Sequence, residues 1–123
     1  MKIRIKGNSL RYRLTRPEVG QLASTGCVED RINFGGVGLS YALCTTDGER
    51  LSVSFLDNHI TIYLPVSLID QWVSTDKVGF EERIQLKDAE VLTLLVEKDY
   101  TCLDNVTEDQ GENYPNPLVK KSV

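Results

Sequence analysis

Hydrophobic and polar positions alternate along this chain in eight short runs, broken by two stretches of helical period. Ile3 and Ile5 alternate with Lys2, Arg4 and Lys6, and beyond Gly7-Asn8 the residues Leu10, Tyr12 and Leu14 alternate with Arg11 and Arg13. A period of two around a Gly-Asn turn predicts a β-hairpin with one apolar and one wet face, with Tyr12 on the apolar side. Thr15-Arg16-Pro17-Glu18 has the form of a capping box, in which hydroxyl and carboxylate satisfy amides that a first helical turn leaves without partners. A helix of about ten residues follows, and Gly26 ends it. Cys27 to Phe34 and Val37 to Thr45 form a second hairpin across Gly35-Gly36. Leu51 to Leu56 and Ile60 to Leu64 form a third around Asp57-Asn58, and Pro65 sets the start of a second helix. Val78 to Leu86 and Val91 to Lys98 make the last pair.

This order, ββαββ followed by ββαββ, is also visible in the residues. Laying 2–28 over 52–78 puts Asn8 on Asn58 and Leu14 on Leu64, and Gln21, Ser24, Thr25 and Val28 fall on Gln71, Ser74, Thr75 and Val78. The apolar helix positions Val19, Leu22 and Ala23 fall on Ile69, Trp72 and Val73. Two residues inserted in the second half lay 28–34 over 80–86, and one more lays Leu39 to Leu43 over Leu92 to Val96. Identities are modest, so the agreement of residue classes at every element carries the alignment. It predicts an internal duplication with a pseudo-two-fold axis and one shared core, spanning repeats at about 2–47 and 52–98 within a single domain of residues 1–98. The fold class is α+β. Eight mostly antiparallel strands must hide one apolar face, which a curled sheet or two packed sheets would do. A barrel-like or strongly curled sheet, plugged or flanked by two helices, is favoured over an open saddle with both helices on one face.

Composition adds bounds rather than detail. A chain of 123 residues, 41% hydrophobic and 26% charged, can bury one core without staples. Its apolar runs are too short to span a membrane. The N-terminus opens into a charged strand instead of an apolar leader, which points to the cytoplasm. Cys27, Cys44 and Cys102 are odd in number and widely spaced, which suits reduced thiols better than a disulfide framework.

Charge separates the two halves. Residues 1–17 carry Lys2, Arg4, Lys6, Arg11, Arg13 and Arg16 with no acid, although the whole chain has a net charge of -4. The equivalent hairpin of the second half has Ser52, Ser54 and Thr61 instead. A hairpin face bearing Lys2, Arg4, Lys6, Arg11 and Arg13 can attract an anion. Without an aromatic platform beside it, and with a pI near 5.0, nucleic acid is disfavoured as the partner. Within the same chain, the stretch from the end of the last strand onward carries Glu97, Asp99, Asp104, Glu108, Asp109 and Glu112. The 99–123 segment is therefore expected either to pack on the basic hairpin or to remain partly disordered.

Candidate chemistry is sparse. His59 falls in a hairpin turn, far in sequence from any cysteine, where a surface position is the plainer reading. Asp99 and Asp104 flank Cys102 closely enough to raise its thiol pKa, which argues against a nucleophile. Asp99, Cys102, Asp104, Glu108 and Asp109 form a candidate tail cluster, but their spacing matches neither a zinc site nor a calcium loop. Gly35-Gly36-Val37-Gly38 lacks the following helix that would hold a phosphate. No cofactor or metal is implied, and no catalytic residue can be nominated.

The opening Met1-Lys-Ile-Arg-Ile-Lys-Gly-Asn-Ser-Leu-Arg11, together with Leu14-Thr15, Glu18-Val19, Glu97-Lys-Asp-Tyr-Thr-Cys-Leu103, Glu108-Asp109 and Tyr114-Pro-Asn-Pro117, resembles a small family of uncharacterised bacterial proteins, almost end to end. The resemblance implies a stand-alone bacterial cytosolic protein in which residues 97–117 are an intrinsic part. It implies no activity or ligand. The reading is a non-enzymatic binding or accessory domain for an unknown protein or an anionic ligand. A small enzyme or metal protein using Cys102 and its carboxylates, and a nucleic-acid binder using the basic hairpin, are the alternatives. A monomer is favoured, because internal symmetry already satisfies the interface an ancestral dimer would use.

Overall fold

The computed structural model describes residues 1–100 and Tyr114. Strands β1 (Lys2–Lys6) and β2 (Ser9–Leu14) lead through helix α1 (Arg16–Thr25) to β3 (Cys27–Asn33) and β4 (Gly38–Thr46). Then come β5 (Ser52–Leu56), β6 (His59–Pro65), a 3-10 turn at Val66–Leu68, α2 (Ile69–Ser74), β7 (Gly79–Gln85) and β8 (Val91–Lys98). The class is α+β. The strands form two four-stranded sheets, ordered β1-β2-β8-β7 and β3-β4-β6-β5, and do not close into one barrel. Each sheet takes one hairpin from each half of the chain and joins them through a parallel pair, β2 with β8 and β4 with β6. Among the described residues the outer strands β1, β7, β3 and β5 remain edges, so the apolar faces are hidden by packing sheet on sheet.

Period-two alternation makes that packing possible. Leu10, Tyr12, Leu14, Leu94 and Val96 from the first sheet meet Val28, Leu43, Ile62 and Leu64 from the second, while Val19, Leu22, Ile69 and Trp72 enter the same core from the helices. Leu22 and Trp72 are both fully buried. The rings of Tyr12 and Tyr41 lie 6.1 Å apart between the sheets. Tyr12 donates its hydroxyl to the Ile60 carbonyl at 3.3 Å, and the half-buried Tyr41 donates to the Met1 carbonyl at 3.1 Å, so each phenol has a backbone acceptor across the core. β1 passes over the second sheet from β3, where Met1 meets Asp30, to β5, where Ile5 and Phe55 line one pocket.

The helices are fixed at their ends. The Thr15 amide donates to Glu18 Oε1 at 2.9 Å, which is one half of the capping box, and Gly26 closes α1 with φ of 88° and its N–H donating to the Leu22 carbonyl. The second oxygen of Glu18 accepts the Met1 ammonium, which also donates to Asp30 Oδ2 at 2.6 Å. Trp72 anchors α2. Its indole N–H donates to the Val78 carbonyl at 3.1 Å, the same oxygen that accepts the Lys98 amide, and its ring meets Phe80 edge-on at 5.8 Å. Gly79 follows in a position where a Cβ would overlap the Val96 carbonyl oxygen.

One expectation is corrected here. Cys27 and Cys44, expected as reduced thiols, are directly opposite in the β3·β4 register with Cα atoms 4.2 Å apart, and they are joined as a disulfide. The signal was present in the predicted hairpin, because a two-residue turn at Gly35-Gly36 sets residue 34 opposite 37 and so Cys27 opposite Cys44; the odd number of cysteines and their spacing of 17 in sequence pointed the other way.

Two outcomes follow for stability. Gly79→Ala should cost about 1–3 kcal/mol by forcing β7 from β8, measured by chemical denaturation. Burial pushes the Met1 ammonium pKa down, but its hydrogen bonds to Asp30 and Glu18 outweigh that and hold it above its ordinary 8.0. A raised pKa gives stability that is complete below pH 8.0 and is lost as pH climbs through the raised value. Asp30→Asn should therefore lower stability by about 1 kcal/mol at neutral pH, with the difference from wild type shrinking in alkali.

Candidate functional site

β1 and β2 carry the cations because their alternation leaves only polar positions on the outer face of the first sheet. The register sets Lys2 opposite Arg13 and Arg4 opposite Arg11, so like charges face each other directly across the hairpin. Such pairs repel unless something negative sits among them. The parallel partner supplies part of it. Glu97 on β8 lies opposite Arg13 and its Oε1 is 3.3 Å from Arg11 Nε and 3.6 Å from Arg13 Nε. Just past β8, Asp99 Oδ2 is 3.1 Å from Lys2 Nζ. Arg4 and Lys6 have no ion pair among the described residues. They line a pocket of about 130 Å³ with Ser9, Arg11 and Leu95.

Asp99 is held firmly for a residue at a strand end. It is 4% exposed, its amide donates to the Leu14 carbonyl at 2.8 Å, and its carbonyl accepts the Tyr114 amide at 2.7 Å. Its Oδ2 has the ammonium of Lys2 within ion-pair distance but no hydrogen bond of good geometry, so attraction there is chiefly coulombic. Lys98, its neighbour, is equally buried and points the other way, donating to the Thr75 carbonyl at 2.7 Å. Burial lowers the Lys98 pKa, and Asp76 opposes that shift. Tyr114 comes back over this region with its ring 4.9 Å from Lys98 Nζ and 5.4 Å from the Arg16 guanidinium, and 5.8 Å from the Tyr100 ring. Desolvation raises the phenol pKa values of Tyr100 and Tyr114.

The five cations of the predicted basic face are thus brought together, and two of the predicted acids of the chain's end meet them. Cys102, Asp104, Glu108 and Asp109 lie outside the described residues. His59 is exposed at the head of β6, with Nδ1 2.7 Å from the Asp57 carbonyl. Lys98 and Tyr114 were missed as partners. The only signal for Lys98 was a cation at a position that alternation assigns to the inner face of β8. Among the described residues no three His, Cys, Asp or Glu side chains gather as a metal site, and no helix is long and apolar enough to cross a membrane. A second pocket, of about 230 Å³, lies between the hairpins β1–β2 and β5–β6 and is lined by Ile5, Leu10, Val53, Phe55, Ile60 and Leu92. Its polar rim is already satisfied, since Asn8 donates to the Val91 carbonyl and Ser9 to the Lys6 carbonyl.

Fold and surface define a two-sheet α+β domain with a basic outer face that acids of the same chain partly neutralise. Residues 1–118 match the family of unknown function DUF7009, and the chain belongs to that family. No curated protein and no solved structure matches it.

Proposed function

We propose that the protein is a non-enzymatic binding domain for an anionic partner, and that its working surface is the outer face of β1 and β2 around Arg4, Lys6 and Arg11. The observation that carries this reading is the charge balance of the face. Five cations stand there, four of them in two like-charged cross-strand pairs and Lys6 beside them, Glu97 and Asp99 engage Lys2, Arg11 and Arg13, and Arg4 and Lys6 border a pocket with no acid among the described residues of its lining. An anion placed there would relieve the Arg4–Arg11 repulsion as well as pair with Lys6. Asp104, Glu108, Asp109 and Glu112 follow Asp99 closely enough in sequence to compete for the same cations, so the acidic segment acts as an internal competitor.

We also infer that the fold is a duplicated ββαββ unit. Supporting this, Tyr12 opposes Val96 in one parallel pair and Ile62 opposes Leu43 in the other, and these are the residues that the sequence alignment makes equivalent. The Asn8 and Asn58 carbonyls accept the Thr93 and Ser40 amides in the same way. The basic face is then a property of one copy alone, acquired or kept where the other has serines.

A fluorescent poly-glutamate peptide tests the binding role. It should bind with an affinity that falls steeply as salt rises, weaken about tenfold or more in Arg4→Ser with Lys6→Ser, and tighten when Asp104, Glu108, Asp109 and Glu112 are changed to their amides. Binding that ignores both salt and the double substitution would remove the face from consideration. A short single-stranded DNA measured beside it, bound more tightly than the peptide, would favour a nucleic-acid partner instead.

A further inference from the structure

Among the described residues the two sheets end in four edge strands, and three of them are guarded by charge. β1 carries Lys2, Arg4 and Lys6, β3 carries Glu29, Asp30 and Arg31, and β7 carries Glu81, Glu82 and Arg83. Lysine, arginine and acid on an edge keep its unpaired amides and carbonyls from joining another chain, because a neighbouring strand would have to desolvate them. β5 is different. Its sequence, Ser52-Val-Ser-Phe-Leu56, has no charge, and Phe55 and Leu56 are 69% and 71% exposed. The strand behind it, β6, presents His-Ile-Thr-Ile-Tyr-Leu-Pro, which also carries no acid, lysine or arginine.

We infer that β5 is an association edge, and that its occupant is β5 of a second copy of this chain, paired antiparallel about Ser54. Antiparallel self-pairing about that residue sets Ser54 opposite Ser54, Ser52 opposite Leu56 and Val53 opposite Phe55 of the second copy. Each face keeps its own character. The inner-face pair joins a β-branched residue to an aromatic ring, one of the favourable cross-strand combinations, and no like charges meet. The same operation on β1 would bring Lys2, Arg4 and Lys6 of two copies together, so charge selects one edge and forbids its counterpart. The result is a two-fold dimer whose second sheet runs on into that of its partner, with both Phe55 side chains withdrawn from water. Internal symmetry, the ground for expecting a monomer, leaves this edge unused because it pairs the inner strands and not the outer ones.

Sedimentation of the full chain over a range of concentrations tests this directly. The expected result is a concentration-dependent monomer–dimer equilibrium that Ser54→Lys weakens by at least about tenfold, since it opposes two cations at the centre of the pairing. Ser54→Thr should leave the equilibrium in place. Ser54 is exposed, so at concentrations where the wild type is monomeric both variants should melt like it. Amide exchange at residues 52–56 should slow as the dimer forms in wild type and stay fast in Ser54→Lys. A chain that remains monomeric at every concentration overturns the inference, as does a dimer that Ser54→Lys leaves intact with no change in exchange at β5. Poly-glutamate binding by the basic face is independent of these outcomes.

Discussion

The structure depends on two parallel pairings, β2 against β8 and β4 against β6. Neither half of the chain can complete a sheet by itself, because the inner strand of every hairpin finds its second neighbour in the other half. The pairing of Ser9–Leu14 with Thr93–Lys98 closes most of the chain into one loop. Closure of that size costs entropy that grows only slowly with length, but it must be met before the contacts form, so folding is expected to be slow relative to a helical domain of this size. The return is a core in which Tyr12, Leu43, Ile62 and Val96 are all fully enclosed or nearly so.

Those same pairings set the electrostatics. Without β8 beside β2, Arg11 and Arg13 would stand next to Arg4 and Lys2 with nothing to offset them. The parallel register delivers Glu97 between the two arginines, and continuation of the strand delivers Asp99 to Lys2. These are half-exposed contacts of modest worth singly. Their importance is in apportioning the charge: among the described residues one side of the hairpin is balanced, and the side at Arg4 and Lys6 is not. Tyr114 reinforces the balanced side by lying over Lys98 and Arg16 and bonding the Asp99 carbonyl.

Packing and disulfide placement obey the same logic of register. Val78 offers one carbonyl to both the Trp72 indole and the Lys98 amide, and Gly79 next to it leaves β7 close enough to β8 for that geometry. Cys27 and Cys44 meet on the outer face of the second sheet at the end nearest α1, adjacent to Gly26, whose carbonyl accepts the Thr45 amide at 2.8 Å. The proposed self-pairing of β5 extends the theme to assembly, since it too depends on which strands the two seams leave at the edges.

Local order in this protein was legible from the sequence. Alternation placed all eight strands to within a residue or two, Thr15 and Gly26 marked the ends of α1, and the positions of Leu22, Trp72 and Tyr12 in the core followed from period alone, because short-range periodicity and capping act within a few residues of chain. The five cations on one face followed for the same reason. What only the tertiary structure decided was which strands lie side by side beyond each hairpin: two open sheets instead of a closed barrel, the contact of Glu97 with Arg11 and Arg13, and the burial of Lys98 beneath Tyr114. Each depends on register between segments distant in sequence. A hydrophobic pattern records which face of a strand is buried, and it carries no mark of the neighbour against which that strand will be buried.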